Sequence, residues 1–206
     1  MIKETYYISD FCTIRDHKVF KKGIRIYEDS TCDTIKDFAK GLYQFLELKY
    51  PKFHKMDELC KLGFLASEIL LQNKEEVDQN TALVLSNRAS SLDTDRKHQQ
   101  SIEDKDNFYP SPAVFVYTLP NIIMGEISIK NSLKSENAFF ITESFDASFI
   151  TTYSQILMNT QKASSVICGW VDLDTDKYDV FLAFISRNGE KELTKKELKN
   201  LYNNYG

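Results

Sequence analysis

Apolar and polar positions alternate through the aromatic run TYYISDFCTI, so a first strand is expected over Thr5–Ile14, with a second short one around Gly23–Tyr27. Asp29, Ser30 and Thr31 offer caps to a helix in which Ile35, Phe38, Leu42, Phe45 and Leu46 recur at helical spacing, and Pro51 closes that segment. The next helix is more apolar. Met56, Leu59, Cys60, Leu62, Gly63, Leu65, Ala66, Ile69 and Leu70 give it a wide hydrophobic face, with Gly63 and Ala66 admitting close approach of a neighbouring layer. The run TALVLS, Thr81–Ser86, has the length of a buried strand, and the polar stretch Asn87–Asn107 behind it reads as a long surface loop.

From Pro112 the pattern turns apolar again. Pro120-Asn121 breaks the chain before a helix over Ile122–Asn131, and NAFFIT, Asn137–Thr142, reads as a strand buried on both faces. Asp146 can cap a helix in which Phe149, Ile150, Tyr153, Ile156 and Leu157 share one face, while Thr151, Thr152, Ser154 and Gln155 lie largely elsewhere. SSVICGWVDL and YDVFLAFIS form a hairpin across DTDK. The chain closes with a charged helix whose Thr194 and Glu197 have capping-box spacing. The expected fold class is α/β: a mixed β-sheet flanked by helices, in one domain over residues 1–206 with no repeat and no linker.

Composition narrows the function. The 206 residues are 42% hydrophobic and 27% charged with a net charge of -4, and the signs are interspersed (Lys21-Lys22, Glu75-Glu76, Lys195-Lys196-Glu197), so neither nucleic acid nor an anionic membrane is an expected partner. Charges in MIKETYYISD occupy the place where a secretory signal needs an apolar core, so a cytoplasmic location is expected. Cys12, Cys32, Cys60 and Cys168 are scattered without metal-ligand spacing and read as reduced thiols rather than disulfides or a metal site. Seven glycines, about half of ordinary usage, leave no phosphate-cradling loop, so no cofactor is expected.

SPAVFVYTLPNIIMGEISIKNSLKSENAFFITES resembles, without a gap, the stretch of the β-ketoacyl-acyl carrier protein synthases (thiolase-like superfamily) that leads to the active-site cysteine. Pro120-Asn121 match the family's turn, GEISIK its helix, Asn137 the residue before its strand, and Thr142 the threonine two places before the nucleophile. HKMDELCKLGFLASEIL, TALVLSNRASS and SSVICGWVDL are similar to other segments of the same family, more weakly. The resemblance implies a thiolase-like half, equivalent to the N-terminal part of a synthase. It also implies that subunits join by pairing Asn137–Thr142 across a twofold axis; the other reading keeps this strand central in a monomer.

The departures bear on function. The resemblance puts Ser144 where the family has its cysteine, with Glu143 before it and Phe145-Asp146 after it in place of small residues. A serine there needs a base. Of the histidines His17, His54 and His98, the second stands in a turn and the third in a polar run, and none is recognisable as that base. Three readings follow: a ketosynthase-like accessory protein without condensing activity in a fatty-acid, polyketide or pigment pathway; residual acyl transfer or hydrolysis by Ser144 with Glu143 or Asp146 nearby; or a module that binds an acyl chain or an acyl carrier protein. The expected partner is a second copy, a ketosynthase or an acyl carrier protein.

Overall fold

The computed structural model describes residues 4–72, 77–106 and 108–205, so Glu75, Glu76 and Asn107 lie outside the described residues. Its strands are β1 (Tyr7–Arg15), β2 (Lys18–Lys21), β3 (Ile24–Glu28), β4 (Thr81–Asn87), β5 (Asn137–Ile141), β6 (Ser165–Asp174), β7 (Lys177–Ser186) and β8 (Lys191–Glu192). Its helices are α1 (Ile35–Phe45), α2 (Glu58–Leu71), α3 (Leu92–Glu103), α4 (Pro112–Val116), α5 (Ile122–Asn131), α6 (Ala147–Asn159) and α7 (Lys195–Asn204). One mixed sheet runs in the order β3-β2-β1-β7-β6-β4-β5, with β8 pairing β1. β4 is parallel to both β5 and β6; the remaining pairs are antiparallel.

Both faces of this sheet are covered, so residues next to each other in a strand enter different cores. Leu182 packs with α1, α2 and α5, whereas Phe181 packs with α6 and α7. This explains why β4 and β6 read as continuous apolar runs rather than alternating ones. α2 lies in the middle of the first layer, buried on nearly every side. It sits close because Gly63 has no side chain: an added Cβ would lie 2.1 Å from Ile123 Cδ1 on α5. Asp57 fixes the start of α2, accepting from Cys60 N at 2.9 Å and from the Thr94 hydroxyl of α3 at 2.6 Å. Burial nonetheless pushes its carboxyl above the usual range.

Several expectations are corrected. Asn87–Asn107 is not a loop throughout, because α3 occupies Leu92–Glu103. Thr94 is its one buried residue, so it carries no apolar period; ion pairs of Lys97 with Asp93 and Glu58, and of Arg96 with Asp174, hold it on the surface instead. Before β3 the chain makes an additional strand, β2. Two tight turns join these strands: Asp16 and His17 have φ of 46° and 58°, and Lys22 and Gly23 have φ of 50° and 80°. Such primed turns are signalled by Asn-Gly or Asp-Gly, and Asp-His hides the first of them. α1 is capped by Thr34, not by Asp29, Ser30 or Thr31, which form an Asx turn; Pro51 opens a short 3-10 helix, Pro51–Lys55, after α1 has ended. Thr194 caps α7 by accepting from Glu197 N at 3.1 Å, but the Glu197 carboxylate turns to Lys191 instead of completing the box.

The strand expected to be buried is the largest correction. Among the described residues β5 pairs with β4 alone and ends the sheet, so it is not central, and its residues are half-buried or exposed. Phe139 packs into one core and Phe140 into the other, which made the strand look enclosed, while Ile141 is 54% exposed.

Gly169, in β6, has φ of 153°, and a Cβ there would lie 2.0 Å from the Phe181 carbonyl oxygen in the neighbouring strand. Gly169→Ala therefore meets backbone, whereas Gly63→Ala meets the end of a flexible isoleucine. Chemical denaturation should show Gly63→Ala losing about 1–3 kcal/mol and Gly169→Ala losing more. Equal losses would mean that β6 and β7 can shift apart at little cost.

Candidate functional site

Five residues, Thr142–Asp146, connect β5 to α6, so Ser144 stands at a strand-to-helix junction. Thr142 N still donates to Asn87 O at 2.9 Å, continuing the β4 register one step. Its hydroxyl donates to the Ser144 carbonyl at 3.0 Å and folds the loop back on itself. Asp146 then starts α6, accepting from Ser148 N and Phe149 N at 2.9 Å each. That carboxylate is the cap the sequence indicates, and its engagement with two amides removes it from the role of a free base beside Ser144. Glu143 and Ser144 are both exposed.

Phe145 points the other way. Its ring lies 4.6 Å from Tyr202, 5.4 Å from Phe181 and 6.5 Å from Trp170, joining the loop to α7 and the sheet. Arg15 secures α7 from below. Its Nε donates to Asp179 at 2.6 Å, its Nη1 to the carbonyls of Tyr202 and Tyr205 at 2.8 and 3.2 Å, and its guanidinium stacks 4.6 Å from the Tyr202 ring. Tyr202 in turn donates its hydroxyl to Asp179; burial first, and that carboxylate second, push the phenol well above its usual range.

Between the loop and the first turns of α7 lies an open cavity of ≈ 720 Å³, lined by residues 142–148 and by Lys195, Lys196 and Lys199. The lysines were legible in the sequence only as members of a charged helix; their placement over Ser144 comes from the Phe145–Tyr202 contact, which periodicity does not encode. No ion pair joins them to a carboxylate among the described residues.

The other candidate residues are elsewhere. His17 sits in the β1–β2 turn with its ring 5.1 Å from Phe38, His54 packs 5.3 Å from Tyr43, and His98 lies 5.4 Å from Phe115. None of the three lines the cavity. All four cysteines are free thiols; Cys12, Cys60 and Cys168 are buried and Cys32 is half-buried. Burial pushes the Cys168 thiol up to about 12, and a hydrogen bond to Asp29 pushes Cys32 up to about 11. Among the described residues no group of three His, Cys, Asp or Glu side chains is placed to hold a metal ion, and no helix is long and apolar enough to cross a membrane.

No protein-family profile matches the chain, and no curated protein matches it. Solved structures do. The ishigamide ketosynthase/chain length factor aligns with a TM-score of 0.62 over 91% of this chain at 17% identity. A type II polyketide synthase acyl carrier protein in complex with its ketosynthase bound to the hexaketide aligns with a TM-score of 0.59 over 89% of it at 12% identity. The fold is shared with the matching part of these ketosynthase structures. A ketosynthase in complex with its chain length factor from Xenorhabdus doucetiae gives 0.57 over 90% at 13% identity. This chain spans 64% of the first of these structures, 62% of the second and 80% of the third. Within this fold Ser144 lies on an exposed loop and Phe145 is its anchor. Truncating Phe145→Ala should lower stability by about 3–5 kcal/mol and loosen α7, read as faster amide exchange from Leu198 to Tyr202. Ser144→Ala should stay within about 0.5 kcal/mol of the parent. If the two variants melt alike, Phe145 does not hold the loop to the helix.

Proposed function

We propose that this chain is a ketosynthase-like accessory or partner protein without condensing activity of its own, acting in the cytoplasm in a fatty-acid, polyketide or related pigment pathway. The reading treats residues 1–206 as one domain equivalent to the N-terminal half of a β-ketoacyl synthase. The observation that carries it is the junction after β5: an exposed hydroxyl instead of a thiol, flanked by a glutamate and by an aromatic ring wedged under α7, in a cavity whose lining includes no imidazole. A serine hydroxyl is a weak nucleophile without an adjacent base. Asp146 is engaged by amides, which leaves Glu143 as the loop's one uncommitted carboxylate.

The partner is a second chain of this same fold, either another copy or a ketosynthase, joined along β5. In support, the outer edge of β5 has no strand beside it among the described residues, and Ile141 at its end is exposed. A free strand edge is a ready pairing surface. Phe108, Tyr109, Phe115, Val116 and Leu119 are also exposed within one short segment, as expected of a surface that meets a partner. An acyl carrier protein is the further candidate partner.

Purified protein should show no decarboxylative condensation of malonyl and acyl carrier protein substrates, and Ser144→Cys should not restore it. Condensation by that variant alone would mean that a base acts on residue 144 after all. Mass spectrometry after incubation with an acyl carrier protein substrate distinguishes the rivals: an acyl adduct on Ser144 supports residual acyl transfer, and a non-covalent complex without turnover supports a partner or binding role. For the interface, Ile141→Lys is the suitable change, because Phe140 packs 4.7 Å from Phe149 and 5.3 Å from Tyr153 inside the chain. Light scattering should show the parent as a dimer, alone or with a co-purifying ketosynthase, and the variant as a monomer. A parent that is monomeric in both settings, or a variant of unchanged mass, rules out pairing along β5.

A further inference from the structure

Glu126 is a carboxylate in a place closed to water. It is 3% exposed on α5, and two segments that are far apart in the chain meet on it. Lys52, in the short 3-10 helix Pro51–Lys55, brings its Nζ to 2.9 Å from Oε2, and the Tyr117 hydroxyl, at the end of α4, donates to Oε1 at 3.1 Å. Lys52 is the one cation paired with this carboxylate among the described residues. Contact with Glu126 holds the Lys52 ammonium above its usual range, and burial first, then the same carboxylate, push the Tyr117 phenol up.

The two segments are anchored unequally. The 3-10 helix has a hydrophobic hold of its own, because Phe53 is buried and its ring stacks 4.3 Å from Tyr43. α4 has none: not one of its five residues is buried, and Phe115 and Val116 are exposed. Its attachments to the domain include Tyr117, which is buried, the Ser91 hydroxyl, which donates to the Thr118 carbonyl, and the contact of the His98 ring with Phe115. A helix that buries no face of its own depends on such tethers.

Removing the charge of Lys52 upsets the balance. A buried carboxylate left without its cation is costly, and the opening that the lysine occupies leads to solvent, since the Lys52 side chain is 44% exposed. Glu126 relieves that cost by turning toward the opening, which takes Oε1 away from Tyr117. The buried phenol then lacks its acceptor, and α4 keeps little else to hold it.

We infer that Lys52, Glu126 and Tyr117 form a charge-balanced latch, in which the ammonium on one surface segment decides whether α4 stays closed on the domain. Phe115 and Val116 lie on the latched helix and Leu119 just behind it, so the latch also governs how these exposed apolar residues are presented. This inference stands apart from the accessory-protein reading, since it is read on the chain alone and needs neither a partner nor an active Ser144.

The test is amide-resolved hydrogen exchange of the full chain by NMR. The amides of Phe115, Tyr117 and Thr118, which donate to the carbonyls of Ser111, Val114 and Phe115, report on α4; that of Ile150, which donates to Asp146 at the start of α6, reports on the opposite layer. Lys52→Met should speed exchange of the first three by about tenfold or more and leave Ile150 unaltered. Tyr117→Phe should do the same. Adding Glu126→Gln to Lys52→Met should return the three amides to the parent rates, because glutamine keeps an acceptor for Tyr117 and leaves no charge unpaired. Three results overturn the latch: no effect of Lys52→Met on α4, an acceleration that reaches Ile150 to the same degree, or a double variant that exchanges as fast as Lys52→Met alone. A lysine that held α4 through its apolar stem gives the first of these, because methionine keeps that stem.

Discussion

The sheet is buried on both faces, and nearly everything else follows from that constraint. Phe181 and Leu182 face opposite ways from one strand, and neither is exposed. A strand of this kind cannot remain in water on either side, so two helical layers are obligatory. α1, α2 and α5 supply one. On the other face α6 alone is too narrow, and α7 completes the layer with Leu198 and Leu201. Arg15, Asp179 and Tyr202 hold α7 in register with the sheet, and Phe145 ties it to the loop that carries Ser144. The helix that closes the core thus also shapes the surface beside the candidate site.

Seen this way, the departures around Ser144 form a set. A small residue after position 144 would leave a gap against Tyr202, and Phe145 fills it. The same ring ties the junction to α7, whose first turn carries the three lysines of the cavity wall. Packing is the demand that Phe145 answers in this chain, through its contacts with Phe181 and Tyr202.

The sequence disclosed the layers well where burial is one-sided or total. The face of α1 from Ile35 to Leu42, the apolar length of α2, the hairpin β6–β7 and the Asp146 cap are all visible as patterns. What escaped reading rests on interactions between residues distant in the chain. α3 is held by Lys97 and Arg96 reaching α2 and the end of β6, so its helical nature has no trace in local hydrophobicity. β5 carries AFFI and looks enclosed, yet its position at the sheet edge depends on which strands β4 pairs with. The resemblance located Ser144 at a strand-helix junction, but the lysines above it required the three-dimensional path of α7.

The pairing of β1 has a temporal consequence. It lies inside the sheet against β7, with Tyr7 opposite Ser186, and it also pairs with β8. β2 and β3 attach only outboard of it. Its neighbour β2 is reached through a tight turn, whereas β7 lies at the far end of a long intervening stretch of chain. Pairing of β1 with β2 is therefore a local, fast closure and pairing of β1 with β7 a long-range, slow one, so the apolar side of β1 is covered only when that distant closure is made.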